Sequence, residues 1–184
     1  MGLAGLARGP ALLGLLLLVV APSSIWAASS SHGKLQAAMI YRLASFVEWP
    51  DGSLPEGSFR VAVVGAPAVA SELERLSEKR KLAGRAFEVK RIEVPGVGGF
   101  DLLFVGSGED RGIDAALAQR TPNVLTMSNA ENFAKRGGMI QLITVGGRRV
   151  KFEVNRAASE QAGLRISSRL LELAAKVHSA GGGK

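Results

Sequence analysis

The side chains able to do covalent chemistry are few and poorly placed for it. A Ser-His-acid triad needs a histidine held rigidly beside its nucleophile. The chain has two histidines: His32, in the short polar run Ser29–Gly33, and His178, near the expected end of the last helix. Ser167-Ser168 offer hydroxyls, but they fall where Leu164-Arg165-Ile166 ends and helix-forming residues begin, which suits a helix cap better than a nucleophile. Glu109-Asp110 sits among glycines and reads as a solvated turn rather than an acid–base pair. Gly65-Ala66-Pro67 lies between a strand and a helix, where α/β proteins often bind ligands. It lacks the further glycines and the lysine of a phosphate-binding loop. With no cysteine, thiolate metal sites are excluded, and two near-terminal histidines make no zinc cluster. The reading is non-enzymatic, with no cofactor and no metal.

Surfaces carry the better candidates. Glu48, Trp49 and Pro50 close the first helix. Trp49 brings large apolar area and one donor, so it either closes the core or faces a pocket or partner. Phe133 divides in the same way between core plug and partner contact. Arg149 and Lys151, with Arg148 beside them, form a cationic row on a strand. Such a row is a solvated face that blunts a sheet edge or a surface selecting an acidic partner. Asn155 ends that strand and suits a helix N-cap. Gly65 completes the partner- or ligand-binding candidates.

These residues need a scaffold, and hydrophobic periodicity supplies one. Leu35, Ala38, Met39, Leu43, Phe46 and Val47 describe a helical stripe that ends before Pro50. Phe59 to Gly65 and Phe87 to Ile92 read as strands, with a helix between them that buries Val69, Leu73 and Leu76. Pro95 to Gly99 is a flexible loop. Phe100 to Val105 is apolar almost throughout, as in a strand covered on both faces. A short helix around Ile113, Ala116 and Leu117 follows, then a strand over Val124–Ser128 and a helical or turn segment around Asn132-Phe133-Ala134. Met139 to Val145 and Val150 to Asn155 pair as a hairpin through Gly146-Gly147, whose positive φ angles a tight turn needs. Strands alternating with helices predict a three-layer α/β/α sandwich, with a mostly parallel sheet and a C-terminal antiparallel hairpin.

Arg8, the apolar run from Ala11 to Ala21 and the small residues Ala27-Ala28 describe a signal peptide over residues 1–28, cut after Ala27 or Ala28. The apolar run is too short to span a bilayer, so an uncleaved anchor is the poorer reading. The expected parts are the signal peptide, a flexible 29–33, one domain over 34–179 and a disordered tail over 180–184. The formal charge is +7. An exported protein rarely meets nucleic acid, so the excess points to acidic partners or anionic envelope surfaces.

The motifs, taken in order, resemble the YfiR family of periplasmic proteins. They run from Phe46-Val47-Glu48-Trp49-Pro50 through Val61–Gly65, Leu102–Val105, Leu125–Ser128, Phe133 and Gly137–Ile140. They continue with Val150–Asn155, Ala162-Gly163-Leu164 and Ser167-Ser168, and end on Leu170–Ala174. The resemblance implies a periplasmic regulator that binds the sensory domain of a membrane diguanylate cyclase and holds it inactive, restraining cyclic di-GMP signalling and biofilm formation. Family members often carry a cysteine just before the central strand, where this chain has Phe100-Asp101, so disulfide-based control cannot operate here. The alternatives are a periplasmic small-molecule-binding module with its ligand near Gly65 and Trp49, and a hydrolase using Ser167 or His178. A homodimer through the hairpin edge or the first helix is compatible with the pattern.

Overall fold

The computed structural model describes residues 24–93, 99–119 and 121–179. The basic start and apolar centre of the expected signal peptide, most of the loop after Ile92 and the glycine-rich tail lie outside them. Helix α1 (Ser24–Ala44) runs straight through Ser29–Gly33, the run read from sequence as a loose N-terminus. Its buried side is Ala37, Ile40, Leu43 and Ala44, one helical stripe by spacing. The predicted stripe is displaced by about one position, and Ala38 faces solvent. Adjacent alanines and leucines make two neighbouring stripes almost equally apolar, so periodicity alone does not choose between them. The helix stops before proline is reached. Ser45 and Phe46 turn back onto the carbonyls of Tyr41 and Leu43, and the chain enters β1 (Val47–Glu48).

Next come β2 (Phe59–Val64), α2 (Pro67–Ser77), β3 (Lys81–Leu82), β4 (Arg85–Ile92) and β5 (Leu102–Val105). After them lie α3 (Asp110–Gln119), β6 (Leu125–Ser128), β7 (Ile140–Val145), β8 (Arg149–Asn155) and α4 (Arg156–Gln161). The chain ends in β9 (Arg165–Ile166), α5 (Ser168–Leu173) and β10 (Lys176–His178). Eight strands form one sheet in the order β10-β8-β7-β6-β5-β2-β4-β3, while β1 and β9 pair separately as an antiparallel clip. The run from β7 through β6, β5 and β2 to β4 is parallel. β7–β8 and β3–β4 are antiparallel. This is the expected α/β sandwich with a largely parallel sheet and a C-terminal hairpin.

Period-two alternation explains why both faces are covered. Phe59, Val61 and Val63 of β2, with Leu102 and Phe104 of β5, join the apolar cluster under α1 and α2. Ala62, Val64, Leu103 and Val105 point the other way, into a second cluster closed by Ile113 and Ala116 of α3. All four β5 residues are at most 2% exposed, as a central strand requires. The N-terminal ends of β2 and β5 are fastened by charge. The buried Asp101 carboxylate accepts from the Arg60 backbone N–H at 2.8 Å and from its guanidinium Nη2 at 2.8 Å, and the Asp101 N–H donates to the Arg60 carbonyl at 2.8 Å. The Asp101 hydrogen bond raises the Arg60 pKa above its ordinary value, against the opposing effect of burial.

The end of the chain departs from expectation. The last helix stops at Leu173, and His178 belongs to β10, which pairs parallel with β8 from Lys176↔Glu153 to His178↔Asn155. The hairpin is therefore not the outermost element at that side of the sheet.

Candidate functional site

The topology places a crevice where the sheet's winding reverses. From β2 the chain crosses through α2 to β4 on one side, whereas β5 returns on the other. The loops leaving the C-terminal ends of β2 and β5 therefore part in opposite directions, where open α/β sheets commonly bind ligands. Gly65 follows β2 with φ +63°, a backbone conformation costly for residues with a Cβ. Gly106 follows β5, and a Cβ there would lie 2.7 Å from the Gly65 carbonyl oxygen. The two loops thus pack backbone to backbone. Helix α1 closes one side, since Gly33 lets it approach α2 so nearly that a Cβ would lie 2.7 Å from that of Ala68. Gln36, one turn further on, then faces the crevice along with His32, while Asn129 enters from the end of β6. The cavity measures about 310 Å³.

A second feature is the outer edge of β8. Only Glu153–Asn155 pair with β10, and the first link towards the hairpin is Ala175 N–H donating to the Phe152 carbonyl at 2.8 Å. Among the described residues, no strand neighbours that edge from Arg149 to Lys151. The side chains of Arg148, Arg149 and Lys151 are exposed, and none of the three forms an ion pair among the described residues. The hairpin itself turns through Gly146 and Gly147 at φ +57° and +69°, as its sequence requires.

Structure separates the other candidates. Trp49 is half-buried, stacks edge-on against Phe59 at 5.1 Å and donates its indole N–H to the Asn123 carbonyl at 2.9 Å. Its single donor is thus spent inside the molecule. Trp49 meets the first residue of β2 and Gly65 follows the last, so one small ligand does not span both. Glu48 and Pro50 are exposed beside it, with Glu48 Oε2 3.8 Å from Arg165 across the β1–β9 clip. At that distance and exposure the pair adds little. Phe133 has no exposed surface, and its ring fills the space where a Cβ on Gly138 would stand. It is a core plug, a correction to its reading as a partner contact. Asn155 is spent on structure: its Oδ1 accepts from Ala158 N–H at 2.9 Å as the N-cap of α4, and its Nδ2 donates to the Ala134 carbonyl at 2.8 Å. It therefore borders, without a free group, a shallow cavity of about 240 Å³ between α3, α4 and β6.

The residues considered for catalysis are likewise engaged. Ser167 Oγ accepts from Leu170 N–H as the N-cap of α5, and His178 Nε2 lies 2.8 Å from Glu153 Oε2 across the β10–β8 pair. Ser167 and His178 stand on separate elements with these separate partners. Sequence reasoning passed over Gln36 and Asn129, which carry no motif. A glutamine on a helix reads as solvated, and only the packing of α1 onto α2 buries it.

The architecture is thus a doubly covered sheet with a crevice at its switch point and, among the described residues, a cationic strand edge without a neighbouring strand. The chain belongs to the YfiR/HmsC-like family, whose model matches residues 33–175. That family is regulatory and periplasmic. Among solved structures, a conserved domain protein from Vibrio cholerae O1 biovar El Tor strain N16961 is similar at 14% identity and a TM-score of 0.47. The match covers 79% of this chain and 60% of that one, so the chain spans about 60% of that relative's length. No curated protein matches the chain. Among the described residues, no helix is long and apolar enough to cross a membrane.

Proposed function

We propose that this protein is a non-enzymatic periplasmic regulator, exported through a cleaved signal peptide. It docks on the sensory domain of a membrane diguanylate cyclase and holds that enzyme inactive. A regulator with no chemistry of its own works by binding one conformation of its receptor better than another. The observation that carries the docking surface is the open stretch of β8, with Arg148, Arg149 and Lys151 exposed and unpaired beside strandless backbone. An extended acidic segment suits it: the backbone offers strand addition, and the cations select charge and speed encounter. Two copies of this chain would bring like charges together along the same edge, which disfavours pairing. A homodimer, where it forms, uses another face, such as α1.

Two measurements test this. Intracellular cyclic di-GMP should rise in a strain lacking the gene and return on complementation; unchanged levels across growth conditions would count against the regulatory role. Arg149→Glu with Lys151→Glu should weaken the complex with the captured membrane partner by at least about tenfold at low ionic strength, since reversed interfacial charges cost several kcal/mol. Surface substitutions of this kind shift stability within about 0.5 kcal/mol, so folding should be preserved. Unchanged affinity at low salt would remove the β8 edge from the interface.

A further inference from the structure

The sheet has a second uncovered edge, at the end away from β8. There β3 pairs with β4 only at Lys81↔Ala86 and Leu82↔Arg85. Among the described residues, no strand neighbours the outer side of β4 from Phe87 to Ile92. Phe87, Val89 and Arg91 lie on the face covered by α2, where Arg91 is held by Glu74 and Ser71. Ala86, Glu88 and Lys90 alternate onto the other face, and all three are exposed. Glu88 stands across the β2–β4 register from Arg60, but that guanidinium is already held by Asp101. Neither Glu88 nor Lys90 forms a salt bridge among the described residues. An unpaired edge is a template for another strand. Unlike the cationic edge of β8, this one carries an acid and a base on one face at alternate positions.

We infer that β4 pairs with β4 of a second copy of this chain, antiparallel about a two-fold axis through Val89. Symmetry and charge single out that register. Residues directly opposite in an antiparallel pair share a face, and side chains alternate along a strand, so the axis must pass through a residue rather than between two. Through Glu88, Lys90 or Arg91 it would set identical charges against each other, which is destabilising. Through Phe87 it would lay the partner strand along Arg85 and Ala86, the place β3 occupies. Through Ile92, the last residue of β4, it would leave almost no strand to pair. Through Val89 it sets Glu88 of each copy opposite the partner's Lys90 and Phe87 opposite the partner's Arg91, so no like charges meet. The paired stretch is then Phe87–Arg91, ending where β3 begins. Both copies use the same patch, so the contact closes on itself, and its shortness makes it a weak, concentration-dependent dimer. This edge lies at the far end of the sheet from the open stretch of β8. The inference therefore does not depend on the regulatory reading, and it is tested on the purified protein alone.

Sedimentation velocity and light scattering from micromolar to sub-millimolar concentration should show a monomer–dimer equilibrium. Glu88→Lys alone and Lys90→Glu alone each put like charges opposite one another on both sides of the axis, and each should weaken dimerisation by roughly tenfold or more. Both positions are exposed, so folding should be preserved. An equimolar mixture of the two variants should regain association as a heterodimer. The double swap Glu88→Lys with Lys90→Glu in one chain should also regain it, because either arrangement restores every opposite pair. Only the register that sets these two positions against each other predicts both rescues. The chain has no cysteine, so Val89→Cys places a single thiol on the axis. Opposite Cα atoms of antiparallel strands lie within disulfide reach, and a mild oxidant should link the two copies covalently. The inference is overturned if the protein is monomeric throughout, if a dimer forms that the single charge reversals leave unchanged, if the mixture fails to rescue a dimer that they weaken, or if Val89→Cys stays unlinked.

Discussion

Replacing Asp101 with alanine probes the fastening at the N-terminal ends of β2 and β5. The carboxylate is nearly buried, with 6% of its side chain exposed, while Arg60 is 30% exposed. Breaking a buried pair on one side costs about 3–5 kcal/mol because the remaining charge is stranded. Here the stranded partner is the guanidinium, and its partial exposure lets water replace some of what is lost. We expect a loss of about 2–3 kcal/mol. For a chain of this size that lowers the Tm by roughly 4–12 °C. The reciprocal Arg60→Met should cost at least as much, since it strands the more buried charge. The double variant Arg60→Met with Asp101→Leu should recover part of the loss, which a double-mutant cycle in urea would quantify. Arg60 has its pKa raised by Asp101, so its contribution is complete below the ordinary arginine range and is lost only as pH rises through the still higher folded value. Within working pH the fastening is constant. A change under about 0.5 kcal/mol in Asp101→Ala would place the pair among surface ion pairs and refute its structural role.

Two further substitutions test the packing around the site. Gly138→Ala should destabilise the fold by about 1–3 kcal/mol, because its methyl group would collide with the buried Phe133 ring; rescue by Phe133→Leu in denaturant melts would confirm that contact, and a neutral Gly138→Ala would refute it. Asn155→Ala removes the cap of α4 and the bond to the Ala134 carbonyl, and should cost about 2 kcal/mol, with faster amide exchange in the first turn of α4 as the local signature.

Where the sequence was informative, the physics was local. Asn155 and Ser167 cap the helices that follow them because a short polar side chain at a strand end has an N–H within reach. Gly146-Gly147 turns the hairpin because few other residues adopt two successive positive φ angles. The all-apolar Leu102–Val105 lies in the middle of the sheet because both of its faces meet hydrocarbon. Where sequence reasoning failed, pairing was decided far along the chain. Lys176-Val177-His178 has no strand pattern, and Val177 is exposed; it is a strand because β8 offers an edge over Glu153–Asn155. The two-residue strands β1 and β9 exist only through each other.

The crevice sharpens the same point. Gly65 was legible as a loop glycine after a strand, but the pairing of that loop with Gly106 follows from β5 lying beside β2, which no spacing encodes. Gln36 and Asn129 stand 93 positions apart by number and become neighbours of one cavity only when α1 docks on α2 and β6 is laid beside β5. Local reasoning treats each as an ordinary polar residue. Their proximity is a product of tertiary packing, not of any local pattern. Residues that serve the fold are satisfied within it, as Trp49, Asn155 and Ser167 are. Residues left exposed and charged along an open edge, as Arg149 and Lys151 are, are where function is to be sought in this chain.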